Sequence, residues 1–264
     1  MLHYMLDAYG TDEENANNLM CVNELLIKVM QDLSLSPVMP PFLLPYYYCE
    51  DAYDGGISAF CFCRGGHVTI HTFPFKGCYF VDVFCDEFFT KQEAEKAFTN
   101  RLYARKVQSE LVDRRFPDSF PKKEDGDAAD FGPHYLINVS DVDLTMEAIN
   151  VILDSIPDKI DMLPITRPYV IFDRNKDPRF ISGIVLVAQS HISIHYDIKT
   201  KQVYMDIFSC KFLDDRKIRS VIDELFGGKA EYSLVVRGAK YEWNSQTSRE
   251  QYDRNSSWRN NSIK

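Results

Sequence analysis

Residues 181–210 read ISGIVLVAQSHISIHYDIKTKQVYMDIFSC, and residues 57–86 read ISAFCFCRGGHVTIHTFPFKGCYFVDVFCD. Spaced 124 positions apart, the two stretches share Ile57/Ile181, Ser58/Ser182, His67/His191, Ile70/Ile194, His71/His195, Asp82/Asp206 and Phe84/Phe208. The match extends outward with small shifts. Pro41 and Pro45-Tyr46 answer Pro164 and Pro168-Tyr169, and His3-Tyr4 answers His134-Tyr135. Self-similarity at a fixed period marks a duplicated structural unit.

Each repeat reads β-α-β-β-β-α-β. A strand (2–9; 134–139) precedes a helix (17–32; 144–156), and then come extended runs with alternating apolar residues at Val68-Thr69-Ile70 and Ile192-Ser193-Ile194. A second helix (90–104; 214–226) follows, stopped in the second repeat by Gly227-Gly228, and a last strand (106–112; 231–237) closes each repeat. Strand clusters interrupted by helices define an α+β class: two homologous α/β-sandwich halves, antiparallel sheets covered by helices, forming an intramolecular pseudo-dimer. The expected boundaries are 1–113 for the first repeat, 114–132 for a charged, Pro- and Gly-containing linker, 133–242 for the second repeat and 243–264 for a polar tail.

Composition narrows the partners. The 264 residues are 45% hydrophobic and 26% charged, as in a globular protein, and the net charge is −9. That excess of acid argues against nucleic acid or an anionic membrane surface, which Lys and Arg would have to neutralise. No apolar run approaches the roughly 20 residues of a membrane helix, and the opening MLHYMLDAYG lacks the basic start of a signal peptide. Seven cysteines without paired CxxC spacing fit a reducing, cytoplasmic location.

The polar segment 197–202 reads as a hairpin turn centred near residue 200, which places Ser190 opposite Cys210 with Cβ atoms roughly 5 Å apart. In the first repeat a turn at Lys76-Gly77 sets Gly66 against Asp86. One repeat therefore offers a hydroxyl beside a thiol where its twin offers no side chain beside a carboxylate. The two His-xxx-His pairs suggest a metal at first sight. In a strand, however, four residues span about 13 Å, so one pair cannot clamp one ion, and no metal is expected. For His67 and His191 the plain alternative is a hydrogen-bonded strand histidine. Ser190 stands five residues from His195 along one strand, farther still, so a histidine partner for Ser190 is expected from the other repeat.

Ile181-Ser182-Gly183, the run Ala188 to His195 and Asp206-Ile207-Phe208-Ser209-Cys210 resemble the "SG…ESHxSIHTxPE…DxFxCG" core of the S-adenosylmethionine decarboxylases. The layout matches over most of both repeats, like a fused tandem duplication of the small microbial members. The resemblance implies a pyruvoyl-dependent proenzyme of polyamine (spermidine) synthesis. It would cleave itself between Gln189 and Ser190 and use Schiff-base chemistry on the pyruvoyl group made from Ser190. It further implies that Cys210 reprotonates the substrate carbon. Ser58 and His71 would assist from the opposite repeat, while Ser182 and His195 line a dead mirror site.

Several positions depart from the family pattern. Gln189 replaces a glutamate, and Phe75 stands where the family has the glutamate that holds ribose hydroxyls, although phenylalanine accepts no hydrogen bond. Ala52 occupies the place of the adenine-stacking aromatic, for which Tyr53 or Phe73 would have to substitute. Glu50, Asp51 and Asp54 lie in the matching loop as candidate partners for a cationic amino-acid-type substrate, or as solvated loop charges. The alternatives to S-adenosylmethionine are arginine or ornithine as substrate, or a non-catalytic regulatory paralogue. Because both repeats lie in one chain, a monomer suffices for a shared site, and a homodimer is compatible.

Overall fold

The computed structural model describes residues 1–49, 51–116, 132–172, 179–188, 190–210 and 213–238. One sheet holds β1 (Leu2–Tyr9), β2 (Phe42–Tyr46), β3 (Gly56–Cys63), β4 (Gly66–Phe73), β5 (Cys78–Cys85) and β6 (Lys106–Asp113) in the order β2-β3-β4-β5-β1-β6. The other holds β7 (Gly132–Val139), β8 (Tyr169–Phe172), β9 (Phe180–Val187), β10 (Ser190–Asp197), β11 (Gln202–Phe208) and β12 (Ala230–Arg237) in the order β12-β7-β11-β10-β9-β8. Read from the matching edge, the two orders are the same. The strand pairings are antiparallel, and the α+β expectation holds.

Among the described residues, five helices cover the outer faces: α1 (Glu13–Ala16), α2 (Leu19–Asp32), α3 (Lys91–Thr99), α4 (Met146–Lys159) and α5 (Asp215–Phe226). Their boundaries are written in the sequence. Asn18 caps α2 through its side chain, Thr90 and Glu93 form a reciprocal capping box on α3, and Gly227 ends α5 at φ 63°. Val22, Leu25, Leu26, Val29 and Met30 give α2 one buried stripe, and Ile149, Ile152, Leu153 and Ile156 do the same for α4. Each stripe joins one face of its own sheet in a separate core.

The inner faces of the sheets pack on each other, which explains why β3, β4, β5, β9 and β10 are buried at every position. Phe60 and Phe62 meet Ile184 and Leu186, while Met5 and Val112 meet Leu136. Met1 and Phe84 cluster with Phe180 and Tyr204, and Phe73 and Phe80 with Phe208. The seam is the intramolecular counterpart of a two-fold dimer interface.

Two features differ from the sequence expectation. Each half has six strands rather than five, because β2 and β8 run along the sheet edge. Pro45, which reads as a break, is tolerated there because an edge strand can spare an N–H. Second, the range read as a linker begins with Arg114, which is buried in the seam, and ends at Gly132, already the first residue of β7. Residues 117–131 of that range and the tail 243–264 lie outside the described residues.

Candidate active site

Val187 pairs with Ser190, so Ser190 opens β10 only two residues after β9 ends, buried at the rim of the seam. The β10–β11 register pairs His191 with Phe208, one residue off the expected register. The four residues 198–201 form the turn, with Lys201 left-handed at φ 54°. Cys210 consequently lies past the end of β11 and does not face Ser190 side chain to side chain. Its backbone N–H donates to Ser190 Oγ at 2.9 Å, and its Sγ–H points at the Ala188 carbonyl at 3.6 Å. The hydroxyl and thiol stay adjacent, and the backbone amide fixes where the serine oxygen sits.

The first sheet supplies the remaining groups. Ser58 on β3 pairs with His71 on β4, and Ser58 Oγ lies 2.9 Å from His71 Nδ1. His71 Nε2 in turn lies 2.9 Å from Nδ1 of His191, the residue next to Ser190. The two rings are close to coplanar, at 12°. A row Ser58–His71–His191 thus crosses the seam and ends beside Ser190. Desolvation by burial pushes the His71 pKa down to about 3 and that of His191 well below 6.5, so both rings are neutral at pH 7.

Around this row Phe73 is fully buried with Tyr9, Phe80 and Phe208, and Cys210 packs against that cluster. Phe75 is also buried, with its ring 6.4 Å from that of Tyr47. Tyr53 is half-buried on a single 3-10 turn, Ala52–Asp54, that contacts the turn Pro74–Lys76. Asp54, read as a partner for a cationic substrate, is ion-paired with Lys76, the two turns lying together. Glu50 and Gln189 lie outside the described residues.

The mirror position keeps the frame but has neither the serine nor the thiol. His195 Nδ1 lies 2.9 Å from Ser182 Oγ, and His195 Nε2 lies 2.7 Å from His67 Nδ1. Gly66 replaces the serine, and a Cβ built there would fall 1.8 Å from the Phe84 carbonyl oxygen. Asp86, in the thiol's place, accepts from Arg179 at 3.0 Å, and Arg179 also holds Asp197. Phe180 lies over Gly65. At the spacing of 124, Arg179 and Phe180 correspond to Gly55 and Gly56, so bulk fills the mirror site where the Ser190 side has glycine.

Two buried arginines, absent from the sequence reading, tie the halves together. Arg114 donates to Asp206 at 2.5 Å, to Asn138 at 3.0 Å and to the Ile137 and Met205 carbonyls. Arg237 donates to Asp82 and Asp7, both at 2.7 Å, and to the Leu6 and Val81 carbonyls. The signal was present: Leu111-Val112-Asp113-Arg114 repeats as Leu234-Val235-Val236-Arg237. Burial alone would raise the Asp82 carboxyl, but Arg237 and His134 overcome it and hold that pKa well below the carboxylate range. One ligand atom from each of His3, Asp82 and His134 lies within 4.8 Å of the others, a spacing that admits a cation. Arg237 already neutralises Asp82, and the arginines approach Nδ1 of His3 and His134 at 3.2 and 3.4 Å, so this set is built to hold guanidinium groups.

A duplicated two-sheet α+β fold, with a serine and a thiol from one repeat and a serine and a histidine from the other, defines a pseudo-dimeric protein whose candidate site spans the seam. Residues 2–115 and 133–238 match the family model of S-adenosylmethionine decarboxylase, and the chain belongs to that family. It is 38% identical over 63 residues to an S-adenosylmethionine decarboxylase proenzyme of Clostridium botulinum, a match covering 23% of this chain and 54% of that one. It is 34% identical over 64 residues to a proenzyme of the same description from Archaeoglobus fulgidus, covering 24% and 54%. The chain thus spans about half the length of the curated relatives it matches. The adenosylmethionine decarboxylase structure from Aquifex aeolicus aligns at a TM-score of 0.36 with 20% identity, over 42% of this chain and 87% of that one. No described helix is long and apolar enough to cross a membrane.

Proposed function

We propose that this chain is a self-cleaving, pyruvoyl-dependent decarboxylase acting on S-adenosylmethionine for polyamine synthesis. The observation that carries the reading is the contact of Ser190 with Cys210 at the rim of the seam, where the Ser58–His71 pair of the other repeat also arrives. In self-cleavage, Ser190 Oγ attacks the carbonyl of residue 189 and the acyl group moves from nitrogen to oxygen. Elimination then frees the 189 carboxylate, and water replaces the nitrogen, released as ammonia, to leave a keto end on residue 190. The serine oxygen needs an orienting donor and a base nearby. The Cys210 N–H supplies the first, and the His71–Ser58 pair stands one residue away for the second.

The residues fit the group so formed, because residue 190 sits buried at a strand start beside Cys210, which itself packs against an aromatic wall of Phe73, Phe80 and Phe208. A pyruvoyl group there supplies an electron sink for loss of CO₂ from an α-amino acid. Cys210 then delivers a proton to the substrate carbon, and the wall limits water. Both halves of the site lie in one chain, so a monomer can be active.

A second reading, arginine or ornithine as substrate, is favoured by one observation: Phe75 is apolar and buried where a carboxylate would hold ribose hydroxyls. Denaturing mass spectrometry tests the processing. The expected result is two chains, 1–189 and 190–264, the second without a free α-amine. A single intact chain would instead support a non-catalytic paralogue. CO₂ release from each candidate substrate then separates the two enzymatic readings.

A further inference from the structure

Resting on that reading of the site, we propose that His191 is a positioning residue that holds His71 in the tautomer whose Nδ1 lone pair faces Ser58. A neutral imidazole carries one N–H and one lone pair, so a row of two rings has only two consistent proton orders. Either His71 Nε2–H donates to His191 Nδ1, leaving His71 Nδ1 as the acceptor for the Ser58 hydroxyl, or every proton is reversed. The far end of the row decides between them. His191 Nε2 is fully buried and has no hydrogen-bond partner among the described residues; neither does Asp82 Oδ2.

The charged and titratable groups that act on His191 are His71, His67, His134 and Asp82. Of these Asp82 is the anion; Arg237 occupies its Oδ1, but Oδ2 is left without a donor, and the carboxylate's residual field favours a proton on His191 Nε2. That leaves Nδ1 as acceptor and puts the His71 proton on Nε2. Such an order leaves His71 Nδ1 free to accept from Ser58, and it reaches His71 through His191, a residue of the repeat that carries Ser190. The mirror pair His67–His195 has the same geometry but ends beside Gly66, so it supplies an internal control.

The test compares His191→Phe, His191→Asn and His67→Phe in the full-length chain. Nitrogen-15 NMR of the His71 ring reads the tautomer directly, and the rate of appearance of the 190–264 fragment reads function. In the parent protein His71 should show an unprotonated Nδ1 and a protonated Nε2. His191→Phe should mix the two forms and slow cleavage by about 10- to 100-fold, a share of the 10²–10⁴ a positioned base contributes. His191→Asn, whose amide can reach the place of Nδ1, should restore the order and most of the rate. His67→Phe, which keeps the His71–His191 hydrogen bond, should keep the His71 tautomer and slow cleavage far less than His191→Phe. An unchanged His71 spectrum in His191→Phe overturns the inference, as does equal slowing by His191→Phe and His67→Phe. If the parent chain never cleaves yet the spectra behave as stated, the enzymatic reading fails and the positioning role stands.

Discussion

Arg237 leaves the end of β12 in the second sheet and closes on Asp82 of the first, its Nη1 donating to Oδ1 at 2.7 Å with both side chains buried. Arg114 makes the reciprocal contact from the end of β6 to Asp206. Each repeat therefore satisfies an acid of the other, and neither sheet can leave the seam without stranding a charge.

Removing one arginine should show this. Arg237→Met leaves Asp82 and Asp7 buried without their cation, and breaking such a pair costs about 3–5 kcal/mol. A urea midpoint well below that of the parent is expected, with partial recovery in the double variant Arg237→Met with Asp82→Asn. A midpoint equal to the parent's would mean that the guanidinium is not in the seam.

Acid should unfold the protein earlier than its carboxylates alone would require. Burial lowers the pKa of His67 to about 4 and those of His71 and His134 to about 3, and it holds His191 and His195 well below 6.5. Their folded values lie below the unfolded value, so the unfolded chain binds more protons and stability falls as pH drops through about 6.5. Each ring contributes up to about 1.4 kcal/mol per pH unit until its folded pKa is reached. Denaturant titrations at pH 7.5, 6.5 and 5.5 should give a steepening loss, against the shallow change expected if these rings were exposed.

Much of this architecture could be read directly because the repeat doubles every signal. The starts of α2 and α3 and the strands β1, β6 and β12 fall within about two residues of expectation. The proximity of Ser190 and Cys210 was legible too, at the positions where the twin has Gly66 and Asp86. What sequence hid was tertiary. A turn of four residues rather than a symmetric centre shifts the register by one, so Cys210 meets Ser190 through its amide. Arg114 and Arg237 carry no mark of burial in a one-dimensional pattern, because only the facing sheet makes a guanidinium an internal residue. The row through His191 was hidden for the same reason, since its two rings come from different sheets.

Gly66→Ser tests why one site has survived. The substitution writes a serine at the mirror position, next to His67, but its Cβ would meet the Phe84 carbonyl at 1.8 Å. The strand must shift to accept it, at a cost of about 1–3 kcal/mol. We expect a lower melting temperature and no fragment beginning at residue 66. A new fragment there would mean that the missing hydroxyl alone had silenced the site.

The final prediction separates the roles on the two sides of the seam. His71 pairs with Ser58 and reaches the Ser190 side, whereas the same pair at His195 and Ser182 ends beside Gly66, with Arg179 and Phe180 filling the space beyond. Both rings are equally buried and make equivalent hydrogen bonds, so their removal should cost similar stability. Their effects on chemistry should part: His71→Ala should slow processing or turnover by about 10²–10⁴-fold, the range for loss of a general base, and His195→Ala by far less. Cys210→Ala should divide the steps differently. It keeps the backbone N–H that orients Ser190 Oγ, so cleavage should proceed, while turnover or the stereochemistry of protonation is lost. Measuring fragment formation and CO₂ release on the same three variants reads both. If His195→Ala proved the more damaging histidine variant, the cross-seam assignment would have the wrong repeat supplying the base.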